Sequence, residues 1–154
     1  MGIYMNQSIS NKKHRFGFIL LFSILFSLQA CTSEDASSAA ELVNTYWKLT
    51  ELEGAPIVTA DGQREMKLTL REENKVTGFG GCNSFFGSYE YDAKKLSFSQ
   101  LAATRMFCED AMDKESQFMK SLMVVKSYKI TGQTMQLFDA EEKLLARFEA
   151  VYLK

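Results

Sequence analysis

Few residues in this 154-residue chain are able to do chemistry, and their types narrow what that chemistry is. Three are cysteines, Cys31, Cys82 and Cys108, and one is a histidine, His14. The run Gly78-Phe79-Gly80-Gly81-Cys82-Asn83 places three glycines in four positions. Glycine-rich loops can cradle a phosphate, but this spacing is not G-x-G-x-x-G, no Lys-Ser/Thr pair is present and no helical pattern follows. The run instead reads as a bulged turn leaving a strand, where glycine supplies φ > 0 or room for close approach. Glu109, Asp110, Asp113 and Glu115 suggest calcium or a carboxylate pair for hydrolysis. They lack EF-hand spacing, and solvation on a helix surface explains them more simply. No metal, cofactor or catalytic residue is expected from any of these groups.

The cysteines and the histidine are read differently once the first thirty residues are set apart. Lys12, Lys13, His14 and Arg15 form a positive n-region, and Phe16 to Leu28 follows without a charge. Thirteen such residues suit the h-region of a signal peptide and fall short of the ~20 needed for a membrane span. Leu28-Gln29-Ala30-Cys31 then resembles a bacterial lipobox. That resemblance implies removal of residues 1–30, a diacylglyceryl thioether on Cys31 and acylation of the new amine. Two or more acyl chains hold a protein stably on a membrane. An ordinary secreted protein and an uncleaved anchor are the alternatives. Residues 31–42 are read as the lipidated cysteine with a flexible tether, because Thr32 to Glu41 is small, polar and free of aromatics. Ser33-Glu34-Asp35 also resembles the acidic export tags of Bacteroidetes surface lipoproteins, against the plainer reading of a solvated linker. Thr32, where inner-membrane lipoproteins carry Asp, implies the outer membrane.

Removing the leader also removes three basic residues and His14. Residues 31–154 then hold 15 basic and 19 acidic side chains, a net charge of −4. An acidic chain is a poor nucleic-acid binder. A histidine-free one cannot use Ser-His, Cys-His or His-ligated zinc chemistry. Cys82 and Cys108 become the two remaining thiols, and in an oxidising compartment they are expected to pair. The competing reading, a redox pair, has no CxxC and no neighbouring His or Lys, although Cys108 lies near a helix start.

The elements that must position these residues are mostly strands. Met66, Leu68 and Leu70 alternate with Lys67, Thr69 and Arg71. Glu73-Asn74 turns into Lys75-Val76-Thr77. Tyr89/Tyr91 and Leu96/Phe98 flank Asp92-Ala93, and Tyr128/Ile130 and Met135/Leu137 flank Gly132-Gln133. Thr45 to Leu52 opens the domain as a strand, Ala55 to Arg64 is a loop, and Leu144 to Tyr152 closes it. Ala111, Glu115, Phe118, Met119 and Leu122 alone have helical period. The pattern predicts a mainly β (α+β) fold over residues 43–154. Seven or eight antiparallel strands form a meander that closes into a small barrel or half-barrel, with one helix between the fifth and sixth strands.

These residues carry a family likeness. Trp47, then Gly80-Gly81-Cys82-Asn83-Ser84-Phe85-Phe86-Gly87-Ser88-Tyr89, then Leu101-Ala102-Ala103-Thr104-Arg105-Met106-Phe107-Cys108, then Glu115, Phe118 and Leu122, then Tyr128 to Gly132 and Leu137 to Asp139, together resemble the META domain of the HslJ family of heat-shock proteins. The family has Pro after the second cysteine, where this chain has Glu109. The resemblance implies a lipocalin-like barrel topology with one helix. It also implies envelope proteins linked to stress response, novobiocin tolerance, motility and virulence, and it supplies no catalytic residue. Gly80, Gly81, Asn83, Thr104 and Arg105 are its motif positions. Arg105 reads as an anion or partner contact, or else Thr104 and Arg105 bond main-chain carbonyls around the cysteines. Tyr89, Tyr91 and Tyr128 either line a ligand cavity or fill the core.

Three functions follow in order of expectation. The first is a non-enzymatic, lipid-anchored envelope protein, held in the membrane through Cys31, that binds or protects another envelope component under stress. The second is a lipocalin-like carrier of a small hydrophobic ligand. The third is an enzyme, restricted by the absent histidine to Asp, Glu, Tyr, Lys or thiolate chemistry. A single copy is the expected assembly, with no nucleic-acid partner.

Overall fold

A computed structural model describes residues 38–152. The expected signal peptide, the lipidation site Cys31 and the segment Thr32–Ser37 lie outside the described residues. Nine strands and one helix follow in the order β1 (Tyr46–Leu52), β2 (Ala55–Pro56), β3 (Lys67–Arg71), β4 (Lys75–Phe79), β5 (Ser84–Tyr91), β6 (Leu96–Ala103), α1 (Met112–Val124), β7 (Ser127–Thr131), β8 (Thr134–Phe138) and β9 (Leu144–Val151). The two-residue β2 interrupts the loop expected over residues 55–64 and pairs Glu51 with Pro56 and Leu52 with Ala55. Without it the count is eight strands, with the helix after the fifth.

Every strand pairing is antiparallel, and the sheet runs β6-β5-β4-β3-β1-β9-β8-β7. The hairpins sit where turn chemistry is strongest. Glu73 and Asn74 both adopt positive φ (59° and 57°) between β3 and β4, and Gly132 does so (56°) between β7 and β8. The sheet curls until its two edges meet at one end, where Lys95 bridges Ser127 and Tyr128 N–H donates to Lys94 O (3.0 Å). The result is a half-barrel.

Helix α1 fills the open side. Its apolar face carries Phe118 and Leu122, both fully buried. The Phe118 ring meets Phe85 of β5 edge-on (5.8 Å between centroids) and leans on Phe148 of β9 (6.1 Å). One aromatic side chain thus ties together strands on opposite walls of the curl. Trp47, Leu49, Leu68, Leu70, Tyr89, Leu96, Met135 and Leu137 occupy the rest of the interior. Among the described residues no helix is long and apolar enough to cross a membrane.

The domain begins earlier than residue 43. Ala40 and Leu42 are buried, Ala40 N–H donates to Gly132 O (2.8 Å), and the Trp47 indole N–H donates to Leu42 O (3.0 Å). Small residues that read as tether by composition are here the first packed residues of the domain, because an alanine fits a close approach as well as it fits a linker.

Candidate functional site

The glycine-rich run is the turn between β4 and β5, closed by Gly80 N–H donating to Asn83 O (2.8 Å). Gly81 takes φ +115°, a conformation L side chains rarely adopt. Gly80 is needed for a different reason. A Cβ there would lie 2.7 Å from Glu115 Cγ, so glycine lets the first turn of α1 approach the β4–β5 turn.

Glu115 uses that approach. Its Oε2 accepts the main-chain N–H groups of Cys82 (3.0 Å) and Asn83 (2.5 Å), and its Oε1 accepts Asn83 Nδ2 (2.7 Å). The expectation that Glu115 is a solvated surface carboxylate is therefore wrong: it is 8% exposed and fully employed. Its place in the same periodic stripe as Phe118 and Leu122 is the signal that it faces inward. Glu109, Asp110 and Asp113 are exposed as expected.

Asn83 is the hub. Its Oδ1 accepts from Thr104 Oγ1 (2.8 Å) and Met106 N–H (2.7 Å), and its Nδ2 donates to Met106 O (3.2 Å) as well as to Glu115. All four hydrogen-bonding positions of the amide are filled. The two cysteines sit beside this hub and are joined as a disulfide with Cα atoms 5.8 Å apart. Residues 104–108 are thus fastened to the β4–β5 turn by a covalent bond and a polar clasp. Thr104 bonds an amide oxygen rather than the main-chain carbonyl expected for it. Arg105 is exposed and makes no hydrogen bond or ion pair among the described residues.

A second carboxylate holds α1 from the other side. Glu53 Oε2 accepts Gln117 Nε2 (2.7 Å) and its Oε1 accepts Ser121 Oγ (3.0 Å), which lowers the Glu53 pKa below the usual carboxylate range. Sequence reading missed this contact, because Glu53 lies in a turn 64 residues from Gln117.

Against the clasp lies an open cleft of about 580 Å³. Ile57, Val58, Met66, Phe79 and Met106 give it apolar walls, and both cysteines reach its surface. The Arg64 guanidinium lies over the Phe79 ring (3.9 Å to the centroid), and Lys114, Glu109 and Asp110 also line the cleft. None of these four charges forms an ion pair among the described residues. The cleft adjoins the C-terminal half of β1, where Leu49 N–H donates to Met66 O and Ile57 N–H to Thr50 O. The chain enters the domain at the N-terminal end of β1, beside Asn44 and Gln133.

The three tyrosines do not line this cleft. Tyr89 is buried and its hydroxyl donates to Arg71 O (2.9 Å); burial raises its pKa. Tyr128 donates to Asp92 O (3.3 Å), and Tyr91 is half exposed. Among the described residues no three His, Cys, Asp or Glu side chains gather as metal ligands.

This architecture is shared. An NMR structure of a protein from Burkholderia xenovorans superposes with a TM-score of 0.59 at 26% identity, covering 73% of this chain and 85% of that one. A second NMR structure gives 0.57 at 22% identity, covering 70% and 90%. The crystal structure of a DUF4847 family protein from Bacteroides vulgatus gives 0.54 at 12% identity, covering 73% and 96%, a likeness of fold alone. None of the curated proteins searched matches the chain. Residues 40–152, nearly all those just described, match the META domain, and the chain belongs to the META domain family.

Proposed function

We propose that this protein is a lipid-anchored envelope protein that works by binding rather than catalysis, receiving another envelope component at the cleft. The carrying observation is the clasped loop. Met106 and Phe107 stand 63% and 81% exposed in a segment fixed by a disulfide and by Asn83. A chain that only needed to bury apolar side chains would not fasten these two in water, and rigidly presented apolar groups beside a cleft suit recognition. The cleft and the first described residues, 38–40, lie at opposite halves of β1. The absence of histidine among residues 31–154 supports a non-enzymatic role.

Carriage of a small hydrophobic ligand is the second reading. Side chains of Trp47, Phe85, Phe118 and Phe148 occupy the sheet interior, so such a ligand would use the surface cleft. One experiment separates the readings. A photo-crosslinking residue replaces Val58 in the full chain, with the same residue at Glu73 on the β3–β4 turn as the control. After irradiation in intact cells, a protein adduct specific to position 58 supports the first reading and a lipid or small-molecule adduct the second. Equal labelling from both positions refutes the cleft as the site. Fatty-acid labelling of the wild type but not of Cys31→Ala tests the anchor; labelling of both would exclude Cys31 as the lipidated residue.

A further inference from the structure

β6 is the first strand of the sheet, with β5 on one side and, on the other, a single bridge at its start, from Lys95 to Ser127. Past Ala103 the chain holds the same course. Thr104 N–H donates to Ser84 O (3.0 Å), which continues the β5–β6 ladder by one residue. The Asn83 side chain then stands in for a strand: its amide takes both the N–H and the C=O of Met106 (2.7 and 3.2 Å). In an extended chain successive residues direct their amides to opposite edges. With Thr104 and Met106 bonded inward, Arg105 and Phe107 face theirs outward. Neither residue makes a main-chain hydrogen bond among the described residues. Ala102 to Phe107 are six exposed residues in succession.

Sheet edges are normally guarded by Lys, Pro or a cover, because a free row of N–H and C=O groups recruits other strands. The opposite edge strand, β7, carries the exposed Lys129 at its centre. The segment Ala102–Phe107 has no Lys and no Pro, one charge at Arg105, and two exposed large apolar side chains. It is also held rigid, so docking costs little ordering entropy.

We propose that Ala103–Phe107 is a strand-docking edge that takes an extended segment of another polypeptide. Main-chain bonds form to Arg105 and Phe107. A residue placed opposite Met106 shares its face and turns a large apolar side chain toward the cleft that Met106 lines. A carboxylate on the incoming strand meets the unpaired Arg105. A second copy pairing through this same edge about Arg105 would set Thr104 opposite Met106 and Ala103 opposite Phe107, side chains too small to occupy a cleft of about 580 Å³. The inference deepens the function proposed above by naming the chemistry of the partner.

The probe is a blocked octapeptide alternating valine and leucine with threonine and carrying one glutamate. Hydrogen exchange read residue by residue on the intact protein tests the edge directly. Saturating peptide should slow the Arg105 and Phe107 amides and leave Thr104 and Met106, already bonded, unchanged. Arg105→Pro removes an N–H that the fold does not use, whereas Arg105→Ala keeps it. Peptide affinity should fall about tenfold further in the proline variant, the scale of one lost hydrogen bond. If the proline variant does not fold, the exchange measurement on the wild type decides. Unchanged exchange at Arg105 and Phe107, or no binding up to about 1 mM peptide, overturns the inference. So does a dimer in sedimentation equilibrium that peptide dissociates, which would assign the edge to a second copy. A small-molecule or lipid adduct at position 58 with unchanged exchange sinks the docking edge and leaves the cleft as a binding site. Slowed exchange without any adduct does the reverse.

Discussion

Replacing Glu115 with glutamine tests whether the clasp holds the domain together. The carboxylate serves three donors, two main-chain N–H groups on Oε2 and Asn83 Nδ2 on Oε1. Glutamine keeps one oxygen for the main-chain donors and turns an NH₂ toward Asn83 Nδ2, donor against donor. Asn83 cannot rotate its amide to relieve this, because its Oδ1 already holds Thr104 Oγ1 and Met106 N–H. One bond is lost and two lose their charge. A bond to a charged group contributes about 1.5–3 kcal/mol and a neutral one about 0.5–1.5 kcal/mol, so Glu115→Gln should cost about 3.5–6 kcal/mol. In a domain of this size that lowers the melting temperature by roughly 14–24 °C. Thermal and urea unfolding at pH 7, followed by circular dichroism, measure it. A double-mutant cycle with Asn83→Ala should show coupling of at least about 1 kcal/mol between the two sites. A melting temperature within about 2 °C of wild type, or additive single effects, would refute the clasp.

Other perturbations bear on the same region. Gly80→Ala drives a Cβ to 2.7 Å from Glu115 Cγ and should cost about 1–3 kcal/mol by overpacking; urea unfolding equal to wild type would contradict it. Replacing Cys82 and Cys108 together by serine should cost roughly 3–4 kcal/mol for a 26-residue loop, again read by urea unfolding, and a loss below about 1 kcal/mol would mean the clasp alone holds the segment. Phe118→Ala, at the fully buried bridge between Phe85 and Phe148, should cost about 3–5 kcal/mol, and a smaller loss would place the core elsewhere. Glu53 has its pKa lowered in the fold, so its bonds to Gln117 and Ser121 stabilise above the ordinary carboxylate pKa and are lost as pH falls through the lowered value. The melting temperatures of wild type and Glu53→Gln should therefore differ at pH 7 and converge in acid; a constant difference down to low pH would exclude the linkage.

The strands and the helix were legible because each carries its own period. Trp47, Leu68, Leu70 and Phe118 fall on the faces their spacing assigns, and the hairpin turns sit on Glu73-Asn74 and Gly132-Gln133. The cysteine pairing followed from the expected compartment and needed no geometry. What sequence concealed was long-range polar chemistry. Glu115 and Asn83 are 32 residues apart, and an acidic residue in a first helical turn ordinarily complements the helix dipole from the surface. Only the close approach at Gly80 brings it under the β4–β5 turn. The start of the domain was misplaced for a related reason: Ala40 is buried by its neighbours, and nothing in its own side chain announces that.

Of the positions that mark the family, all but Arg105 are turned inward, and Arg105 alone among them faces a partner. Gly80, Gly81, Asn83, Thr104, Glu115 and the disulfide spend their chemistry on one another, and each is satisfied within the fold. Their joint product is a course of chain: residues 104–107 held extended, the inner amides bonded and the outer ones left bare. The side chains of Arg105, Met106 and Phe107 inherit that geometry without contributing to it, and Val58, which also lines the cleft, is likewise exposed. Substitutions at Arg105, Phe107 and Val58 should thus leave folding nearly intact, since none of these side chains holds a polar contact within the domain. The signature specifies how an edge is presented, and the exposed side chains on that edge are free to specify what meets it.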